Sequence, residues 1–115
     1  MVTHLGWRRD IPPAETSIAL QLVDFDPLLN RLHALFDGGV AAAQVHEIVG
    51  HAESMDLDDE WDHTYCVQFR GRPVDLRIRI VMEQQNRPTL YFYGPPLLIE
   101  LIANVMEQFE ADTEL

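Results

Sequence analysis

The chain contains no lysine and only one cysteine, and no apolar run approaches the roughly 20 residues needed to span a bilayer. With Cys66 alone, an intramolecular disulfide is excluded, which fits a reducing compartment. Base is scarce as well. Eight arginines stand against 19 acidic residues, for a net charge of −11. A surface of that sign repels phosphate, so nucleic acid and anionic membrane are disfavoured as partners. No glycine-rich phosphate cradle is present either, because Gly38-Gly39 reads as a helix break and Gly71 and Gly94 stand alone. A cleavable export signal is also missing: Trp7-Arg8-Arg9 is followed by Asp10, Pro12, Pro13 and Glu15 rather than an apolar stretch. A cytoplasmic protein is expected.

What remains is the composition of one globular domain: 115 residues, 47% hydrophobic and 23% charged. Residues 1–15 carry no sustained periodicity and two prolines, and read as an extended arm before a single α+β domain over 16–115. From Ser17 to Val23 the pattern alternates, with Ile18, Leu20 and Leu22 on one side and Ala19, Gln21 and Val23 on the other, which suggests a strand or a short helix, the strand being favoured. Asp26-Pro27 is a helix start, since the carboxylate can cap free N–H groups and proline loses nothing in the first turn. Leu28, Leu29, Leu32, Leu35 and Phe36 follow at helical spacing. A second helix carries a stripe of Ala41, Val45, Ile48, Ala52 and Met55.

Between His63 and Tyr93 the period becomes alternating, and three strands fit. Taking Gly71-Arg72 as the centre of a two-residue turn sets Phe69 opposite Val74, Val67 opposite Leu76 and Tyr65 opposite Ile78. On the other face Gln68 meets Asp75, Cys66 meets Arg77 and Thr64 meets Arg79. A third strand, Thr89–Tyr93, adds Leu90 and Phe92 inside with Tyr91 and Tyr93 outside. Gly94-Pro95-Pro96 then starts a helix with an apolar face of Leu98, Leu101, Ile102, Val105, Met106 and Phe109. The expected fold is α+β and two-layered, with an antiparallel sheet of three to four strands, helices on one face, and the order β-α-α-β-β-β-α.

Charge is segregated along this scaffold. Residues 53–62 hold six acids (Glu53, Asp56, Asp58, Asp59, Glu60, Asp62) and no base, whereas residues 63–92 hold five arginines against Asp75 and Glu83. The acidic run reads as a loop in which Asp58, Asp59 and Glu60 flank Trp61, a polar-plus-aromatic anchor for a basic partner. The run lacks the glycine and ligand spacing of an EF-hand. Opposite in sign is a sheet face with Arg70, Arg77 and Arg79 beside Tyr91 and Tyr93, on which each guanidinium should lie over a tyrosine ring or near a carboxylate. The same face, left open, would suit stacked single-stranded nucleic acid or an acidic stretch of another chain, including a second copy.

His46-Glu47-Ile48-Val49-Gly50-His51 is the one string with the look of catalysis. It resembles the H-E-x-x-G-H motif of the dipeptidyl-peptidase III family, which implies zinc held by His46 and His51 with Glu47 activating a water. Five residues separate the histidines, however, or about 140° on a regular helix. The order helix–strand–strand–strand–helix resembles the double-stranded RNA-binding domain in topology. Its last helix nevertheless opens Gly94 to Glu100 without a basic residue for phosphate. No catalytic constellation is complete, and no cofactor is implied. The leading expectation is a non-enzymatic protein-binding module, of inhibitor or chaperone type, for a partner with a basic surface. A zinc hydrolase using His46, Glu47 and His51 is the alternative, and the charge segregation permits a homodimer.

Overall fold

A computed structural model describes residues 14–37 and 42–113. Four strands form one antiparallel sheet: β1 (Ala14–Ala19), β2 (Glu60–Phe69), β3 (Arg72–Gln84) and β4 (Arg87–Gly94), in the order β1-β4-β3-β2. Helices α1 (Phe25–Leu32), α2 (Ala42–Ser54) and α3 (Pro96–Thr113) complete the expected α+β order. Among the described residues no helix is long and apolar enough to cross a membrane. The N-terminal arm lies, up to residue 13, outside the described residues, as do Gly38-Gly39 and Ala41; the strand read at Ser17 begins at Ala14. Strand character ends at Ala19, and Leu22–Asp24 turn as a short 3-10 segment.

Alternation sorts the sheet into two faces. Ile18, Tyr65, Val67, Phe69, Leu76, Ile78, Ile80, Leu90 and Phe92 are buried on one of them. Phe25, Leu28, Leu29 and Leu32 of α1, Val45, Ile48 and Ala52 of α2, and Leu98, Ile99, Ile102, Met106 and Phe109 of α3 join them in one core. In α3 the buried stripe is rotated from expectation: Ile99 is inside, while Leu101 and Val105 pack at its margin. Burial of each large side chain contributes about 1.5–3 kcal/mol, and among the described residues no polar or charged residue is buried to offset it. Helix α1 also starts earlier than Asp26: Phe25 opens it, and the Asp26 carboxylate accepts a 2.9 Å bond from Asn30 instead of capping backbone.

The β2–β3 register departs from the one counted along the sequence. Phe69 stands opposite Arg72, Val67 opposite Val74, Tyr65 opposite Leu76 and His63 opposite Ile78. The turn is centred on Arg70-Gly71, not Gly71-Arg72, with φ of 53° and 80°. Both central residues in the left-handed region define the reversal whose twist matches paired strands. The Asp37 carboxylate also receives the Gly71 N–H at 2.7 Å. The correction is two residues, an even number, so each side chain keeps its face while its cross-strand partner changes. At the other hairpin Gln84 pairs with Arg87 and Val81 with Thr89, so Met82 and Glu83 bulge opposite Pro88, which has no N–H to contribute to a ladder.

An arginine at positive φ is strained where asparagine is tolerated. Arg70→Asn should therefore raise stability by about 0.5 kcal/mol after loss of the Arg70 contact with the Phe69 ring, and Gly71→Ala should lower it by about 1 kcal/mol. Urea unfolding midpoints should move in opposite directions for the two variants.

Candidate functional site

The residues singled out by sequence lie on β2, an edge strand among the described residues, on β3 and β4 beyond it, and on helix α2 and the turn that leads from it into β2. Helix α2 crosses the helix-facing side of β2, and its Glu47 accepts the Tyr65 hydroxyl at 3.1 Å. One turn on, the His51 ring stacks on Trp61 at 4.7 Å and 20°. Trp61 in turn stacks with His63 at 6.2 Å, and His63 meets Tyr65 edge-on at 4.6 Å. Trp61 is thus a half-buried strand residue in a column of rings rather than the tip of a loop. Sequence reasoning did not find this column, because its rungs are two apart on a strand while His51 arrives from a different element.

The acidic run divides into two parts. Asp56 to Asp59 form a turn in which the Asp59 N–H reaches the Asp56 carbonyl at 3.0 Å and the Asp59 carboxylate accepts the Asp56 N–H at 2.8 Å. Asp58 takes φ of 72°, which aspartate tolerates better than most residues. The turn is held to β3 by Met82, whose carbonyl accepts Asp58 N–H at 2.8 Å and whose N–H reaches Asp59 at 2.9 Å. Glu60 and Asp62, expected in the loop, are instead the first strand residues of β2 that face the open side.

On that open side Asp62 pairs with Arg77 at 2.9 Å and Glu60 pairs with Arg79. Arg77 lies 5.1 Å over the Tyr93 ring and Arg79 5.3 Å over Tyr91, while the two tyrosines stack at 6.4 Å and 13°. Glu83 accepts the Tyr91 hydroxyl at 2.9 Å, and this bond, followed by desolvation, raises the Tyr91 pKa. Each cation here is matched by a ring and a carboxylate, so the face is polar and neutralised rather than positive. Arg70 is not on it. That residue sits in the turn, 5.4 Å over the Phe69 ring on the helix side.

His46, Glu47 and His51 are all exposed on α2. The spacing separates the histidines, the Glu47 carboxylate is engaged by Tyr65, and the His51 ring is engaged by Trp61. Among the described residues no group of three or more His, Cys, Asp or Glu side chains is placed to hold a metal ion. The exposed Cys66 is on the open side, next to Asp75 across the ladder. A further concavity, a shallow cleft of about 270 Å³, forms where the end of β1, the start of β4 and the end of α3 meet. Its charged lining, Asp24, Arg87 and Glu110, comes from three elements distant in sequence, so no local signal announced it.

Burial, and then the Glu47 bond, push the Tyr65 hydroxyl well above the usual phenol range. The folded pKa is raised, so the stabilisation is fully present below the unfolded value near 10 and is lost as pH rises beyond it. Tyr65→Phe should cost about 0.5–1.5 kcal/mol at pH 7 and flatten the loss of stability above pH 10, as read from urea unfolding at several pH values.

No protein family, curated protein or solved structure matches this chain.

Proposed function

We propose that this protein is a small non-enzymatic binding module of the cytoplasm whose partner is another protein with a basic surface, in the manner of an inhibitor or a chaperone. The observation that carries the reading is the corner where α2 ends and β2 begins. Glu53, Asp56, Asp58 and Asp59 are exposed there. The ion pairs among the described residues use Asp62, Glu60 and Asp112, and none of these four carboxylates. They also crowd the C-terminal end of α2, where the helix already presents partial negative charge and where cations would be favoured.

Such an arrangement costs stability through self-repulsion, and a cationic surface docking on it would relieve that cost. The neighbouring ring column of His51, Trp61 and His63 supplies flat contact area at the edge of the acidic patch. Carboxylates that steer an encounter act mainly on the association rate and are weakened by salt, because the Debye length shrinks from about 10 Å at 0.1 M to about 3 Å at 1 M. The single thiol, exposed at Cys66, is compatible with a reducing compartment.

The test is binding kinetics with the partner that co-purifies from the native cell, at low and high salt. Glu53→Gln with Asp58→Asn removes two charges and leaves the Asp59 carboxylate, the side chain that the Asp56–Asp59 turn uses, in place. Association should slow about tenfold in this variant at low salt and converge with the wild type at high salt. Equal rates for the two proteins at low salt would end the reading.

A further inference from the structure

We propose that β2 is also a self-association edge: two copies of the chain join their β2 strands antiparallel about a two-fold axis at His63, making one continuous eight-stranded sheet. This does not rest on the basic-partner reading above. In the sheet order β1-β4-β3-β2, β2 has a strand on one side only among the described residues. The two-residue turn closes on Phe69 and Arg72, so Phe69, Val67, Tyr65, His63 and Trp61 direct their backbone groups at β3. The intervening residues direct theirs outward. The Asp37 N–H confirms this polarity by meeting the outward Gln68 carbonyl at 2.9 Å. From Glu60 to Cys66 no such bond is made among the described residues, which leaves the amides and carbonyls of Glu60, Asp62, Thr64 and Cys66 without backbone partners along a stretch of unbroken register.

The free run selects its own register. Pairing all of residues 60–66 with the same residues of a second copy sets His63 opposite itself. Glu60 then faces Cys66 and Asp62 faces Thr64 on the open side, with Trp61 facing Tyr65 on the helix side. No like charges oppose one another, and an aromatic pair forms at each end of the helix side. Beyond the ladder the charges complement: the acidic turn Asp56–Asp59 of one copy approaches the hairpin tip of the other, where Arg70 and Arg72 form no ion pair among the described residues. An edge carrying acid at its start and arginine at its end matches an antiparallel copy of itself better than a uniformly basic strand. The usual blunting devices are scarce too, since residues 60–69 contain no proline and no lysine.

Helix α2 supports the same arrangement. It flanks β2 through Glu47 and His51, so two copies of α2 would meet across the axis on the helix side. Between those residues lies Gly50, exposed inside the helix, with nothing within 4 Å of the position a Cβ would take. A glycine there is less favourable to the helix than alanine, and nothing among its neighbours requires it. Close approach of a second helix would.

Sedimentation and disulfide trapping test the proposal on the full chain. The wild type should sediment as a dimer, and Thr64→Pro, which removes an outward N–H and leaves the β3 ladder intact, should sediment as a folded monomer. With Cys66→Ser as background, His63→Cys should crosslink on mild diamide oxidation, because facing residues of a non-bonded pair sit about 4.5 Å apart at Cα, within disulfide reach. Thr64→Cys in the same background should not, its two copies being about 8 Å apart. Should Thr64→Pro fail to fold, the crosslinking pair decides alone. A wild type that stays monomeric at millimolar concentration overturns the proposal, as does a dimer that survives Thr64→Pro or is trapped at position 64 and not at 63.

Discussion

The reversal at Arg70-Gly71 determines which residue of β2 stands opposite which residue of β3, and every later feature of the sheet inherits that choice. Because both turn residues sit at positive φ, the hairpin closes tightly on Phe69 and Arg72. Counting back from there sets Asp62 opposite Arg79 and Thr64 opposite Arg77, which leaves each arginine diagonal to the carboxylate it binds. The same count sends the backbone groups of Glu60, Asp62, Thr64 and Cys66 away from the sheet. A turn one residue later would have given a sheet with the same two faces, but with different ion pairs. The strain at Arg70 is thus tied to the register, and the Asp37 carboxylate on the Gly71 N–H helps hold it.

Neutralisation on this molecule is uneven. Along the open face, arginine, tyrosine and carboxylate alternate closely enough that no unmatched charge is left in the Arg77–Arg79 strip. Around the end of α2 four carboxylates gather that make no ion pair among the described residues, next to a helix terminus of the same sign. Local conflict of this kind is where sequences depart from what the fold alone would favour. It is the physical ground for the proposal that a basic partner would dock at the acidic corner and not on the sheet face.

The legibility of the fold followed the strength of each local signal. Alternation from Tyr65 to Phe92 carries enough repeats for element type and facing to be read, and the apolar stripes of α2 and α3 enough for element type, whereas the buried face of α3 is turned to bring Ile99 inside and leave Leu101 and Val105 at its margin. The two-residue error in register arose because Gly71 fits either central position of a tight turn, and nothing local says that Arg70 accepts positive φ. The site was harder to read. Glu60, Trp61 and Asp62 look like part of an acidic loop because charge masks the alternation that makes them strand. Only the pairing of Glu60 with Val81 and of Trp61 with Ile80 reveals it.

What the amino-acid sequence determined by itself was the element order, the division of the sheet into a buried and a wet face, and the separation of acid from arginine along the chain. These follow from periodicity and composition, which act over a few residues at a time. Only the tertiary structure decided which charges meet, that Trp61 is held between His51 and His63, that Glu47 is engaged by Tyr65, and that β2 is left as an edge. Those outcomes depend on contacts between residues far apart in the chain, set by how the helices and strands close over one core, and no local pattern encodes them.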